Sequence, residues 1–291
     1  MHSAGDRRTI GFVGLGNIGV PMATNLLRAQ YDVLGFDPVM PDAFLAAGGR
    51  AATDVAEVAR CCDAVVQSLP NEAALVASVN ALLAHAAAGT VLIEISSYKP
   101  AVKRREADRL ADAGITMLDC EVSGLPPQAA QRKAVIFKAG DRDAMARVTP
   151  VLDAMAENHF DLGPFGAATT MKLIANAMVC ANNLLAAEAL NLGRRAGLDP
   201  AQVVAVLGPS AAGSATFTNK APLMLSREFG TGRGPFRHMF GYLSRAADLA
   251  QEVGARTPLL DRTCEIYRKA EAEGRHEQDI AAIIEVVEAQ P

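Results

Sequence analysis

A lysine set in an otherwise uncharged helical stretch is the first candidate for chemistry. From Ala167 to Ala187 every side chain is apolar, small, or an uncharged amide or hydroxyl, with Lys172 the one exception. A solvent-facing helix ordinarily carries Glu, Lys and Arg, so this stretch reads as surrounded by protein on most sides. Asn176 follows four residues later on the same face, and Asn183 lies close to the same stripe. Two readings are open: a functional lysine, or a polar stripe turned to solvent with Ile174, Met178 and Leu185 on the opposite side. The absence of any other charge counts against the second.

A phosphate cradle is the second candidate. The apolar run Thr9 to Val13 leads into Gly14-Leu15-Gly16-Asn17-Ile18-Gly19, then a helical stretch to about Ala29, then a second run, Val33 to Phe36, that ends at Asp37. Strand, glycine turn, helix, strand and acid form the dinucleotide-binding fingerprint. Gly14 permits the tight turn, Gly16 lets a pyrophosphate approach the backbone, and Gly19 lets helix pack on strand. The helix N-terminus offers unpaired N–H groups and partial positive charge. Asp37 can accept from a ribose 2′-hydroxyl and repels a 2′-phosphate, and Pro38, Val39 and Met40 supply no arginine, so NAD is expected, with NADP possible. A cap or turn role is the other reading of Asp37.

These residues need a scaffold. Asp63 to Pro70 and Thr90 to Ser97 read as buried parallel strands, and Ile115 to Asp119 and Ala134 to Gly140 supply two more. Helical patterns at Glu72 to Ala84 and Ala101 to Ala113 separate them. The fold expected is α/β: an N-terminal Rossmann-type doubly wound parallel sheet over residues 1–163, followed by an all-α C-terminal domain over 164–291. A long interdomain helix opens the second domain and runs to about Ala196, where Gly197 and Pro200 stop it. Further helices are expected at Ala201 to Leu207, Tyr242 to Gly254, Leu259 to Gly274 and Gln278 to Ala289, with "GPSAAGSA" and "FGTGRGPFRH" as flexible connections. Ligands bind beyond the carboxyl ends of such strands, which singles out Ser68 to Asn71, Glu94 to Pro100 and Asp119 to Gln128. Each of these alone is equally an ordinary turn. The helix carrying Lys172 begins just after the sheet, so its first turns can border a cleft between the domains.

Composition narrows the class. The chain has 291 residues, half of them hydrophobic, and a net charge of −4. Its longest basic run, "KRRE" at Lys103 to Glu106, reads as a solvated helix face, which argues against a nucleic-acid surface. Five cysteines without CxxC spacing suit a reducing compartment, and five scattered histidines suggest no metal site. No stretch of about 18 apolar residues is free of polar breaks, so no membrane span is expected. "MHSAGDRR" is followed by a strand and glycine loop and not by a signal-peptide core, so a cytoplasmic protein is expected.

Over essentially the whole chain, "GFVGLGNIGVPMATNLL", "SLPN", "EISSYKP", "DCEVSGLPPQAA" and "GAATTMKLIANAMV" occur in an order and spacing that resembles the β-hydroxyacid dehydrogenases. That family is typified by 3-hydroxyisobutyrate dehydrogenase and tartronate semialdehyde reductase, within the 6-phosphogluconate dehydrogenase superfamily. The resemblance implies hydride transfer between a nicotinamide and a small carboxylate substrate, a β-hydroxyacid or its semialdehyde. It implies that Ser123 and Gly124 hold the substrate carboxylate, that Lys172 is the general acid/base, and that Asn176 orients substrate or lysine. It also implies that Leu69, Pro70, Asn71 and Ser96 line the cofactor site, and that the protein is a homodimer or homotetramer joined through its helical domain. The chemistry suits a buried lysine. At its free pKa of about 10.4 an amine is a poor base at neutral pH, and burial beside a cationic ring lowers that value.

Three features depart from the family pattern. Gly241-Tyr242 stands where Lys-Asp is usual, Leu125-Pro126-Pro127 stiffens the loop after Gly124, and "SSYK" places Tyr98 and Lys99 where smaller residues are common. The Tyr242 side chain is either a hydroxyl for the cleft or a packing group. Arg233, Arg237 and His238 either supply the missing positive charge or form a solvated basic loop. The alternatives to a hydroxyacid dehydrogenase are an imine reductase on the same fold, whose members generally lack the lysine, and a non-catalytic dinucleotide sensor. The 6-phosphogluconate enzyme itself has a much larger helical domain.

Overall fold

A computed structural model describes residues 9–230 and 234–289. They form two compact units, one ending at Lys172 and the other starting at Leu173.

The first unit is built on β1 (Thr9–Val13), α1 (Gly19–Arg28), β2 (Asp32–Phe36), α2 (Asp42–Ala46), β3 (Arg50–Ala51) and α3 (Val55–Cys61). It continues through β4 (Ala64–Gln67), α4 (Glu72–His85), β5 (Val91–Glu94), α5 (Pro100–Ala111) and β6 (Thr116–Ser123). It closes with α6 (Pro126–Ala130), β7 (Val135–Ala139), α7 (Arg142–Met155) and β8 (Asn158–Asp161). The eight strands make one sheet in the order β3-β2-β1-β4-β5-β6-β7-β8. Strand order reverses at β1, so the loops after β1 and β4 leave the sheet side by side, the usual place for a ligand crevice.

The expected all-parallel sheet is corrected at one pairing: β7 runs antiparallel to β6. The connection from Gly124 to Ala134 carries only the short α6, too little chain for the crossover a parallel pair requires. This pairing also extends β6 beyond its expected end at Asp119, because Cys120 to Ser123 pair with Lys138 to Val135. Alternate residues of the central strands enter two separate cores. Ile10, Phe12, Val66 and Ile93 pack on one side, and Val13, Val65 and Leu92 on the other. Burial on both faces is what near-continuous apolar strands dictate. Each fully buried Val, Leu, Ile or Phe contributes about 1.5–3 kcal/mol.

Helix α8 (Ala167–Arg195) contains the division at Lys172. The second unit adds α9 (Pro200–Leu207), α10 (Ala215–Ser226), α11 (Phe236–Glu252), α12 (Pro258–Ala272), a 3-10 turn (Ile280–Ala282) and α13 (Ile283–Glu288). Helix α10 was not expected. Ser214 caps it, accepting from Phe217 N at 3.0 Å, and Phe217, Lys220, Ala221 and Met224 form its buried face, but Pro222 obscures the helical pattern. Helix α11 begins at Phe236, so Phe236, Arg237 and His238 belong to its first turn and not to a flexible connection. The last expected helix is broken at Asp279, which caps the 3-10 turn and pairs with buried Lys220 at 2.6 Å. Asn183 donates to the Tyr267 hydroxyl at 2.9 Å and to Ile280 O at 2.8 Å, so its amide serves the core of this unit.

One face of α8 departs from expectation. Ile174, Met178, Leu185 and Leu192 are 46%, 62%, 62% and 71% exposed, so protein covers this helix on one side only. By length and hydropathy α8 also meets the criterion for crossing a membrane, one that core helices of soluble proteins meet as well. Lys172, Asn176, Asn182 and Asn183 interrupt its apolar sequence.

Candidate active site

The glycine loop has the form its sequence demands. Gly14 has φ +90°, and a Cβ there would lie 2.0 Å from Ser68 O, so only glycine permits this approach of the β1 and β4 loops. At Gly19 a Cβ would fall 2.1 Å from Gly14 O, where α1 turns onto the strand end. Around Gly16, in contrast, no atom lies within 4 Å of the Cβ position. The open approach over Gly16, at the N-terminus of α1, fits a pyrophosphate group. Asp37, at the end of β2, accepts from Leu15 N at 2.8 Å and from Val39 N at 2.9 Å. It therefore braces the loop as well as standing where a ribose is expected. Each carboxylate oxygen retains a second lone pair for a ligand hydroxyl.

The loops after β4 and β5 are clasped together. Leu69 N donates to Ser96 Oγ at 2.7 Å, and the Tyr98 hydroxyl donates to Leu69 O at 3.3 Å. Tyr98, in the unusual "SSYK" segment, is buried and works as a brace for this loop; burial pushes its phenol up, so it stays neutral. Asn71 caps α4, accepting from Ala74 N at 2.9 Å. Ser96 N donates to Glu94 Oε1 at 2.6 Å, and Glu94 Oε2 accepts from Gln67, whose own oxygen accepts from Ser78. Glu94 is wholly buried, and that burial pushes its carboxyl up to about 7. Leu69, Pro70, Asn71 and Ser96 are thus held at the carboxyl ends of two neighbouring strands.

Lys172 lies against the end of β6. Its Nζ donates to Val122 O at 2.7 Å, immediately before Ser123 and Gly124. Burial lowers its proton affinity, and Glu121 opposes that shift. The helix start that carries Lys172 is fixed by Asp119, which accepts from Gly166 N at 3.1 Å, Thr169 N at 3.0 Å and the Thr169 hydroxyl at 2.7 Å. Carboxylate oxygens facing the first turn satisfy its unpaired N–H groups and suit the positive end of the helix. Asn176 is buried one turn further along α8.

Below this helix start lies a charged cluster absent from the sequence expectations. Lys103 is 1% exposed and donates to Asp119 Oδ1 at 2.9 Å, Cys120 O at 3.1 Å and Glu121 Oε1 at 3.0 Å. The solvated reading of "KRRE" is therefore corrected: Arg104 and Arg105 are exposed, but Lys103 and Glu106 are buried. The signal was present, since Val102, Lys103, Glu106, Ala107 and Leu110 form one helical face. What charge patterning could not supply was the carboxylate pair on β6 awaiting Lys103.

The loop after Ser123 and Gly124 is stiffened as its prolines suggest. Leu125 N donates to Gln128 Oε1 at 2.7 Å, so this N–H is engaged within the loop. In α11 the Arg245 guanidinium stacks on the Tyr242 ring at 4.7 Å and its Nε donates to Gly241 O at 3.0 Å. Arg237 pairs with Glu277, and burial with the neighbouring Arg237 lowers the proton affinity of His238. Arg233 lies outside the described residues.

Residues 9–163 match the model of the NAD-binding domain of 6-phosphogluconate dehydrogenase, and residues 166–287 match the NAD-binding region of NADP-dependent 3-hydroxyisobutyrate dehydrogenase. An NAD-dependent L-serine dehydrogenase from Pseudomonas aeruginosa is 31% identical over 288 residues, covering 95% of this chain and 96% of that protein. The crystal structure of a 3-hydroxyisobutyrate dehydrogenase from Salmonella typhimurium is similar with a TM-score of 0.86 at 29% identity, covering 96% of this chain and 99% of that one. An imine reductase from a Pseudomonas species shares the fold alone, with a TM-score of 0.64 at 19% identity over 97% of this chain and all of that one. Two family models that together take in nearly the whole fold, with relatives matched end to end, lead to one conclusion: the chain is an NAD(P)-dependent oxidoreductase that belongs to the β-hydroxyacid dehydrogenase family.

Proposed function

We propose that this enzyme interconverts a small β-hydroxyacid and its semialdehyde, with Lys172 as the general acid/base. The observation that carries this reading is a half-buried lysine whose ammonium group, its proton affinity lowered by burial, donates to Val122 O at 2.7 Å beside Ser123 and Gly124. Ser123 offers a hydroxyl and Gly124 a backbone N–H to the substrate carboxylate. Asn176, one turn beyond Lys172, orients the substrate or the lysine. In oxidation neutral Lys172 takes the hydroxyl proton, and in reduction the ammonium form returns it to the alkoxide oxygen. Such proton transfer contributes roughly 10²–10⁴-fold in rate.

Gly14, Gly16, Asn17, Ile18 and Gly19 would hold the pyrophosphate of the dinucleotide and Asp37 its ribose, which favours NAD over NADP. Leu69, Pro70, Asn71 and Ser96 would line the nicotinamide side. When bound, the nicotinamide supplies the hydride acceptor or donor. In this reading residues 1–163 serve the cofactor, residues 164–291 serve substrate and subunit contacts, and the protein works as a cytoplasmic homodimer or homotetramer. The test is NAD⁺ and NADP⁺ reduction against a panel of hydroxyacids. L-serine and 3-hydroxyisobutyrate come first, since relatives carry those names. Turnover of a carboxylate-bearing alcohol with preference for NAD⁺ supports the reading. Turnover confined to imines, or dinucleotide binding without turnover of any panel member, overturns it.

A further inference from the structure

The cluster below Lys172 holds one more negative charge than its own ammonium group neutralises. Lys103 faces two carboxylates, Asp119 at 2.9 Å and Glu121 at 3.0 Å. Asp119 is further satisfied by Gly166 N, Thr169 N and the Thr169 hydroxyl. Glu121, 1% exposed in its side chain, takes the Ser97 hydroxyl and stands 3.4 Å from the Thr169 hydroxyl. Among the other titratable groups here, Glu94 is partly ionised at neutral pH, and its oxygens are taken by Ser96 N and the Gln67 amide. Glu94 on β5 is pushed up to about 7, and burial pushes the Cys120 thiol and the Tyr98 phenol up, keeping both neutral. Two cations, Lys103 and Lys172, therefore face two carboxylates, Asp119 and Glu121.

Geometry links Glu121 to Lys172. Glu121 directly precedes Val122, whose carbonyl accepts from Lys172 Nζ at 2.7 Å. Thr169, within reach of Glu121, lies three residues before Lys172 on the same helix face. We propose that Glu121 is a positioning residue for Lys172: its buried carboxylate, pinned by Lys103 and Ser97, is the counter-charge that holds the ammonium at Val122 and sets how readily it releases a proton. In its catalytic use this rests on Lys172 being the proton carrier. Two influences oppose each other at Lys172: burial lowers its proton affinity and Glu121 raises it. Burial likewise pushes the Glu121 carboxyl up, while Lys103, Ser97 and Lys172 draw it down.

The test needs no substrate. Protein labelled with [ε-¹³C]lysine is titrated by NMR, with the Lys172 resonance assigned by its loss in Lys172→Ala. In the wild type its midpoint lies below that of a free lysine. In Glu121→Gln, which leaves Lys103 and Asp119 as a matched pair, the midpoint falls about one further pH unit. Glu121→Asp keeps the charge and restores a midpoint near the wild-type one. Should the glutamine variant fail to fold, Glu121→Met gives the same charge count with an apolar side chain of similar length. A Lys172 midpoint unmoved by loss of the Glu121 charge overturns the proposal. Turnover indifferent to Lys172→Ala, with the NMR displacement still present, overturns the catalytic reading and leaves the Glu121–Lys172 coupling standing.

Discussion

The Lys172 ammonium donates to the backbone carbonyl of Val122 at 2.7 Å, tying α8 to the end of β6 at the point where Ser123 and Gly124 begin. This contact fixes the position of the nitrogen against the strand end. Burial lowers the proton affinity of Lys172 below the ordinary lysine value of 10.5. The sign for activity follows: oxidation requires the neutral amine, so kcat/KM for alcohol oxidation rises with pH through a midpoint below 10.5, and reduction falls through the same midpoint. A pH–rate profile in both directions checks this, with the limb missing in the residual activity of Lys172→Ala.

Gly14 and Gly16 should separate folding from cofactor binding. Gly14→Ala puts a Cβ 2.0 Å from Ser68 O at φ +90°, so it displaces the β1 and β4 loops and lowers Tm. Gly16→Ala meets no atom within 4 Å, so it folds normally, yet the methyl occupies the expected pyrophosphate approach. Its NAD affinity falls by roughly tenfold or more, about 1.4 kcal/mol. Calorimetry for stability and fluorescence titration for affinity distinguish the two.

Asp37 both braces Leu15 N and faces the expected ribose. Asp37→Ser keeps an acceptor for the loop and removes the charge that repels a 2′-phosphate. The ratio of kcat/KM for NAD over NADP should drop by about tenfold or more, read from initial rates with each cofactor.

These sites show what local sequence can and cannot reveal. The glycine loop was legible because turn, helix start and acid are encoded within one contiguous stretch, and its φ and contact requirements are local. Lys172 stood out because no other residue from Ala167 to Ala187 is charged. Glu121 and Lys103 did not, because their meaning depends on the register of α5 against β6, and one run of four charged residues conceals two buried side chains. The antiparallel β7 and the cap of α8 by Asp119 likewise depend on pairings between distant segments.

Glu94 gives stability a pH dependence with a defined sign. Its folded-state carboxyl is raised from 4.5 to about 7, so the folded state binds this proton more tightly than the unfolded chain does. The resulting stabilisation is full below about pH 4.5 and is lost as pH rises through about 7, on the order of 3 kcal/mol. The drop in Tm between pH 5 and pH 8 should therefore be smaller in Glu94→Gln than in the wild type by differential scanning calorimetry.

The outward face of α8 offers a test of assembly. Ile174, Met178, Leu185 and Leu192 make an exposed apolar row, larger than scattered surface side chains, as subunit contacts require. Under the proposed assembly the wild type is expected to sediment as a dimer or tetramer and a Met178→Asp/Leu185→Asp double variant as a monomer.

The most direct test of the central claim compares wild type with Lys172→Ala under saturating NAD⁺ and hydroxyacid, with cofactor affinity measured separately. In Lys172→Ala, kcat should fall by roughly 10²–10⁴-fold while the NAD Kd stays within about twofold of the wild type. A kcat within a few-fold of wild type would contradict a proton-transfer role for Lys172.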